Sequence, residues 1–185
     1  MPLTEVVFYG RGGQGAVTAA NILASAALES GNKDVQAFPI FGAERRGAPV
    51  KAFARISDSE IHLRSQVYSP NVVVVLDTGI MDTVNVTDGL KKDGTIVLNT
   101  PRSPDEVYMP FKVATVDATG IAIERKIMVG GIPIVNTPIV GTLPKLMDNL
   151  SIDSVKKAIM NRWKGKAGER NAAAAEDAYK RLRIK

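Results

Sequence analysis

The stretch that most constrains this chain is Gly10-Arg11-Gly12-Gly13-Gln14-Gly15, because of what stands on either side of it. Val6-Val7-Phe8-Tyr9 is a β-branched and aromatic run that reads as a buried strand, and Ala16-Val17-Thr18-Ala19-Ala20-Asn21-Ile22-Leu23 reads as a helix. The glycines therefore occupy a strand-to-helix turn. Such a turn suits phosphate: glycine lets the backbone take positive φ and approach a ligand closely, and the free N–H groups and dipole of the following helix attract negative charge. Gly10, Gly12 and Gly15 fit Gly-x-Gly-x-x-Gly, a pattern that glycines needed only for tight turns and close packing also produce.

The helix is expected from Gly15 to about Ser30, with Val17, Ala20, Leu23, Ala24, Ala27 and Leu28 recurring at helical spacing and Gly31-Asn32 as its stop. Val35-Gln36-Ala37-Phe38 is a second strand closed by Pro39, completing a βαβ unit. A dinucleotide-binding unit places an acid at the end of that second strand to hold the ribose hydroxyls. Here the strand ends Pro39-Ile40-Phe41, and no carboxylate follows until Glu44, which counts against NAD.

A second loop, Phe41-Gly42-Ala43-Glu44-Arg45-Arg46-Gly47-Ala48-Pro49, sets two arginines between glycines. Guanidinium forks suit phosphate or carboxylate, and the glycines leave room for a bulky group; a surface loop with Glu44 paired to an arginine is the plainer alternative. Beyond it, Val50 to Ile56 and Glu60 to Arg64 alternate around Ser57-Asp58-Ser59, which predicts an antiparallel hairpin over about 50–64 with one wet face. His62, the only histidine, falls on the polar side.

Asn71 to Asp77 contains an unbroken valine run, as expected of a central strand covered on both faces, and Asp77-Thr78-Gly79 lies at the rim where α/β sheets place ligands. Thr95 to Asn99 and Lys112 to Asp117 are further strands, the last leading into a short helix ending near Met128. Asn136-Thr137-Pro138 starts a helix that Gly141 and Pro144 interrupt, so that it is kinked or closely packed. Ser151 opens the next helix, with Ile152, Val155, Ile159 and Trp163 on one face, and residues 169–179 form the last. The order predicts an α/β, Rossmann-like three-layer sandwich: a mostly parallel sheet, the 50–64 hairpin and C-terminal helices.

At 185 residues with no internal repeat or linker, residues 1–185 are expected to form one domain. No apolar run spans a membrane, and Met1-Pro2-Leu3-Thr4-Glu5 has no signal-peptide character, so a cytoplasmic location is expected. The net charge of +5 is uneven: residues 156–185 hold ten Lys/Arg against three acids, +7, which leaves −2 for the rest. Such a tail is either a solvated helical face or an attractor of nucleic acid, an acidic partner or an anionic ligand. Zero cysteines exclude thiolate metal ligands and an iron–sulfur cluster on this chain. With no Gly-x-Ser-x-Gly elbow, no Walker lysine and no carboxylate cluster, no catalytic or metal-binding residues are assigned. The residues by themselves describe an α/β ligand-binding or assembly subunit.

Taken together, Gly10 to Val17, Phe41 to Val50, Val72 to Asp77, Ile134-Val135-Asn136-Thr137-Pro138 and Gly168 to Ala174 resemble the gamma subunit of pyruvate or 2-oxoacid:ferredoxin oxidoreductases, over essentially the whole chain. The resemblance implies a subunit, not catalytic alone, of a complex that converts a 2-oxoacid, pyruvate foremost, and coenzyme A into acyl-CoA and carbon dioxide while reducing ferredoxin. It implies alpha, beta and delta partner subunits carrying thiamine diphosphate, Mg and [4Fe-4S] clusters, and no nucleic-acid or membrane partner. For this chain it implies coenzyme A binding and subunit docking, with Gly10, Gly12, Gly13, Gln14 and Gly15 as the cradle and Arg45, Arg46 and Gly47 as the charged loop. A free-standing NAD(P)-binding oxidoreductase domain and a purely structural assembly subunit are the alternatives.

Overall fold

The computed structural model describes residues 3–40 and 47–185. The alternation read in the first strand holds: in β1 (Thr4–Arg11), Val6 and Phe8 face one apolar cluster, Val7 and Tyr9 the other. α1 (Ala16–Glu29) follows, then β2 (Asp34–Pro39) and β3 (Pro49–Ser57). β3 lies between β2 and β1, antiparallel to both, so β1-α1-β2 is a crossover with a returning strand in its gap. On the other side of β1, the parallel strands β4 (Val72–Val75), β5 (Thr95–Asn99) and β6 (Lys112–Val116) follow in turn. Because β2 runs with β1, only β3 and the short edge strand β9 (Arg183–Ile184) oppose the common direction, and the sheet is mostly parallel.

The two faces are covered differently. α1, α2 (Ala118–Glu124), α3 (Asn136–Val140), α4 (Ile152–Arg162) and α5 (Gly165–Arg181) all pack into the cluster that contains Val6, Phe8, Val74 and Val97. The opposite cluster, with Val7, Tyr9, Phe53, Val73, Val75 and Ile96, is closed by the 3₁₀ turn Thr78–Asp82 and by irregular chain carrying Val67, Val86 and Leu90. The third layer of the sandwich is thus turns and loops rather than helix. Alanines on the helical side, Ala52, Ala54 and Ala114 in the strands and six buried in α1, let helix and sheet approach closely.

Several boundaries differ from the sequence-based expectation. Residues 50–57 form the first arm of the predicted hairpin, but 60–64 leave the sheet, and β3 finds its antiparallel partners in β2 and β1 instead. Asp34 draws the chain aside there, its Oδ2 accepting from the Ile61 N–H at 2.8 Å. Arg55, expected on a wet face, is 1 % exposed; it donates to Glu5 Oε1 at 2.9 Å, to Gln36 Oε1 and to the Gln66 carbonyl, so its fork ties the 58–71 segment to the sheet. Gly130-Gly131 is the tip of a two-stranded hairpin, β7 (Met128–Val129) with β8 (Ile132–Pro133). The helix at Asn136 stops at Val140, and Gly141 lies directly against the Ala175 carbonyl, so its close packing is on α5 of the same chain. α5 begins at Gly165, a turn earlier than read.

Candidate functional site

The parallel strands end on one rim, and β1 ends there in the glycine turn. Gly13 and Gly15 have φ of 96° and 85°, a region that side chains rarely tolerate. Gly15 is the N-cap of α1, with no side-chain cap and no acidic residue in the first turn. The first-turn N–H groups of α1 have no intrahelical acceptor, and Gly13 and Gly15 donate to no acceptor among the described residues. Gly13 faces open space, with nothing within 4 Å of where a Cβ would stand. A row of neutral donors at the positive end of a helix dipole is the result.

One carboxylate fixes this turn. Asp77, just past β4, accepts from Arg11 Nε at 2.9 Å and from Gln14 Nε2 at 3.0 Å on Oδ2, and from the Gly79 N–H at 2.9 Å on Oδ1. Gln14 closes the ring by accepting the Arg11 N–H on Oε1 at 2.6 Å. The Arg11 charge is therefore matched by Asp77, and what the turn offers a ligand is backbone N–H. Asp77 thus caps the 3₁₀ turn Thr78–Asp82 and braces the glycine turn at the same time.

The second loop returns to the first. Gly12 N–H donates to the Ala48 carbonyl at 2.8 Å, Gly47 N–H to the Gly12 carbonyl at 3.2 Å, and Arg11 Nη1 to the Gly47 carbonyl at 3.3 Å. Gly12, Gly13, Gln14, Gly15 and Gly47 thus come together. Gly10 is buried beneath them as the ladder partner of Val50, packed near the Ala16 methyl, so it shapes the turn from below. Arg45 and Arg46 lie outside the described residues. His62 stands on the surface beside Glu60, with side chains 80% and 79% exposed.

Two further residues belong to the site. Arg11 lies inside the glycine motif but reads there as a spacer; its partner Asp77 is 66 positions away, a pairing no local pattern carries. Asn136, the first residue of α3, is 5% exposed and leans on the turn, its amide filling the space beside Gly15 where a side chain would otherwise stand. α5 supports it from behind, since Thr137 Oγ1 donates to Asn171 Oδ1 at 2.7 Å.

The profile of the pyruvate ferredoxin/flavodoxin oxidoreductase family matches residues 5–181. The chain belongs to that family. Pyruvate synthase subunit PorC of Methanocaldococcus jannaschii is 54% identical over 180 residues, 97% of either chain. The common gamma subunit of the pyruvate/ketoisovalerate oxidoreductases of Thermococcus kodakarensis is 53% identical over 182 residues, 96% of either chain. Among solved structures, pyruvate oxidoreductase subunit PORC of Thermotoga maritima superposes with a TM-score of 0.84 at 33% identity, covering 100% of this chain and 99% of that one. The 2-oxoglutarate:ferredoxin oxidoreductase of Magnetococcus marinus, solved with 2-oxoglutarate, coenzyme A and succinyl-CoA bound, shares the fold with a TM-score of 0.73 at 18% identity; 97% of this chain corresponds to 31% of that one.

The chain is thus a gamma-type subunit of a multi-subunit pyruvate/2-oxoacid oxidoreductase. Among its described residues no group of three or more His, Cys, Asp or Glu is placed to hold a metal, and no helix is long and apolar enough to cross a membrane. The basic C-terminal segment is partly neutralised within the subunit. Lys156 and Lys180 both reach Glu176, Lys157 pairs with Glu29, and Arg181 with Glu124. The two lysines hold the Glu176 carboxyl well below the usual range, at about 2, with the Lys180 bond the larger cause and the Lys156 bond next.

Proposed function

We propose that this gamma-type subunit binds coenzyme A on the glycine turn and docks against the catalytic subunits of a 2-oxoacid:ferredoxin oxidoreductase that uses pyruvate. The observation that carries the reading is the set of unused N–H donors at Gly13, Gly15 and the first turn of α1, with Gly13 facing open space at the rim of the parallel strands. Phosphate oxygens are the acceptors such a set fits, and coenzyme A presents a pyrophosphate and a 3'-phosphate. Gly47, directly after Arg45-Arg46, is seated on Gly12, which favours those arginines as the source of positive charge that Arg11 does not supply. The Magnetococcus enzyme, of the same fold, was solved with coenzyme A and succinyl-CoA bound, which supports this ligand class.

In this reading the chain's own work is to bind and orient. Holding the nucleotide end of the coenzyme at the turn leaves its thiol arm free to reach the acyl group formed on a neighbouring subunit. Thiamine diphosphate with Mg on a partner chain supplies the decarboxylation chemistry, and [4Fe-4S] clusters on partners carry electrons to ferredoxin; a chain without cysteine offers no thiolate to such a cluster. Alpha, beta and delta subunits complete the assembly, with residues 1–185 acting as one domain within it.

The test is made in the reconstituted complex. Gly13→Ala sets a methyl group into the open side of the turn, and Arg45→Ala with Arg46→Ala removes the charge; each is expected to raise the KM for coenzyme A about tenfold or more at nearly constant kcat. The reading fails if both leave that KM unchanged. A response to NADPH and none to coenzyme A, when this chain is titrated with each, would favour the NAD(P) alternative.

A further inference from the structure

The turn between α4 and α5 carries a charge that the subunit leaves unbalanced. Residues 162–170 hold Arg162, Lys164, Lys166 and Arg170 against the single acid Glu169, and all five are exposed. None of the four cations has an ion-pair partner among the described residues, whereas Lys156, Lys157, Lys180 and Arg181, on the same two helices, each reach a carboxylate. Two of the four also stand against local preference. Lys164 is the N-cap of α5 and Lys166 lies in its first turn, which has no acid, so both cations sit at the positive end of a 17-residue helix. A face meant only for solvent gains from the opposite choice.

The turn is closely packed as well as basic. Gly168 lies directly against the Trp163 carbonyl, with no room for a Cβ, which seats the first turns of α5 on the end of α4. The Arg162 guanidinium stands 5.2 Å from the centre of the half-buried Trp163 ring. Arginine and tryptophan are residue types that anchor protein interfaces, and groups already held in place lose little freedom on contact. The position is equally particular. α4 starts beside Ser30 at the far end of α1, and by Arg162 it shares a groove with Asn21 and Ser25. α5 then passes Asn171, which accepts from Thr137 Oγ1 next to Asn136 and Gly15. This basic ledge therefore stands at the end of the helical layer that holds the glycine turn.

We propose that the α4–α5 turn is a docking ledge for an acidic face of a neighbouring subunit of the oxidoreductase complex. Charge complementarity selects the occupant: the chain belongs to a family of multi-subunit oxidoreductases, and a cluster of carboxylates is the surface that four unpaired, fixed cations fit. Nucleic acid suits the turn less well, because its one aromatic ring already lies under Arg162 and offers no platform for stacked bases. The inference rests on the docking half of the reading above and is independent of the coenzyme half. It places the neighbouring subunit beside the rim where the glycine turn opens.

Two charge-matched variants of the co-expressed complex test it. Lys164→Glu with Lys166→Glu reverses the ledge, and Lys33→Glu with Lys92→Glu reverses two exposed lysines elsewhere. Acids suit the start of α5, so the melting temperature of the ledge variant should hold or rise, and a loss of assembly cannot be laid to unfolding. The Kd for release of this chain from the complex, read by dilution and mass photometry, is expected to rise about tenfold or more at low salt in the ledge variant and less than about twofold in the other. The difference should close as salt screens the charges. Equal losses in the two variants would make net charge the cause and overturn the ledge. Unchanged assembly of the ledge variant overturns it too, whether the variant instead raises the KM for coenzyme A, which would make the turn an anion subsite, or loses binding to single-stranded DNA; docking would then use another face. A wild-type chain that fails to assemble with the partner subunits removes the docking reading itself, and this inference with it.

Discussion

Gly15 shows how much a single residue can carry. It combines a φ of 85° with a neighbour, Asn136, that leaves no room for a Cβ, whereas Gly13 combines a φ of 96° with open space. Alanine at Gly13 therefore meets only the backbone penalty of roughly 1–2 kcal/mol. Alanine at Gly15 adds a collision with Asn136, so Gly15→Ala is expected to cost about 2 kcal/mol or more and to lower the melting temperature by about 4–8 °C, clearly more than Gly13→Ala. Thermal unfolding of the two variants side by side checks this; equal losses would mean that Asn136 yields freely. The spacing of the glycines is legible in the sequence, but which of them is pressed by a neighbour is not, because Asn136 is more than a hundred positions away.

Among the elements, α4 and α5 are joined by charge as well as by packing. Glu176 on α5 takes Lys180 from its own helix and Lys156 from α4, at 2.9 and 3.0 Å. Its carboxyl is held at about 2 against an ordinary 4.5, so the sign is that of a depressed acid: the contribution is complete above about 4.5 and is lost as pH falls toward 2. The Glu176 side chain is 36% exposed, so the clamp is open to screening by salt. The carboxyl resonance of Glu176 is expected to titrate near 2, and Glu176→Gln to remove that part of the acid dependence of α5 hydrogen exchange; a midpoint at the ordinary value would show the clamp to be open in solution. The charge run of the tail is plain in the sequence. That its lysines converge on one acid follows only from α4 and α5 lying side by side.

The whole subunit presents its glycine turn at one rim of a mostly parallel sheet. Relatives named for pyruvate alone and for pyruvate and ketoisovalerate together are equally close, at 54% and 53% identity. A gamma-type chain of this kind is expected to leave substrate choice to its partners. Exchanging it into an enzyme of different 2-oxoacid preference should keep the ratio of kcat/KM values for the two acids within about twofold, and a change of about tenfold would place selection on this chain. Steady-state kinetics of the hybrid complex decide between them.

By itself the sequence determined the fold class, the glycine turn, the central parallel strands and the helical C-terminal half, because each of these rests on local periodicity or on a turn residue within a few positions. It also carried the family, through motifs spread along the chain. The tertiary structure decided what depends on distant partners: β2 rather than residues 60–64 beside β3, a buried Arg55 bound to Glu5, Asp77 bracing Arg11 and Gln14, and the Asn136 amide set against Gly15. Alternation tells which way a side chain points along a strand, but not whether the face it points to is wet. That is settled by whichever segment the rest of the chain lays across it.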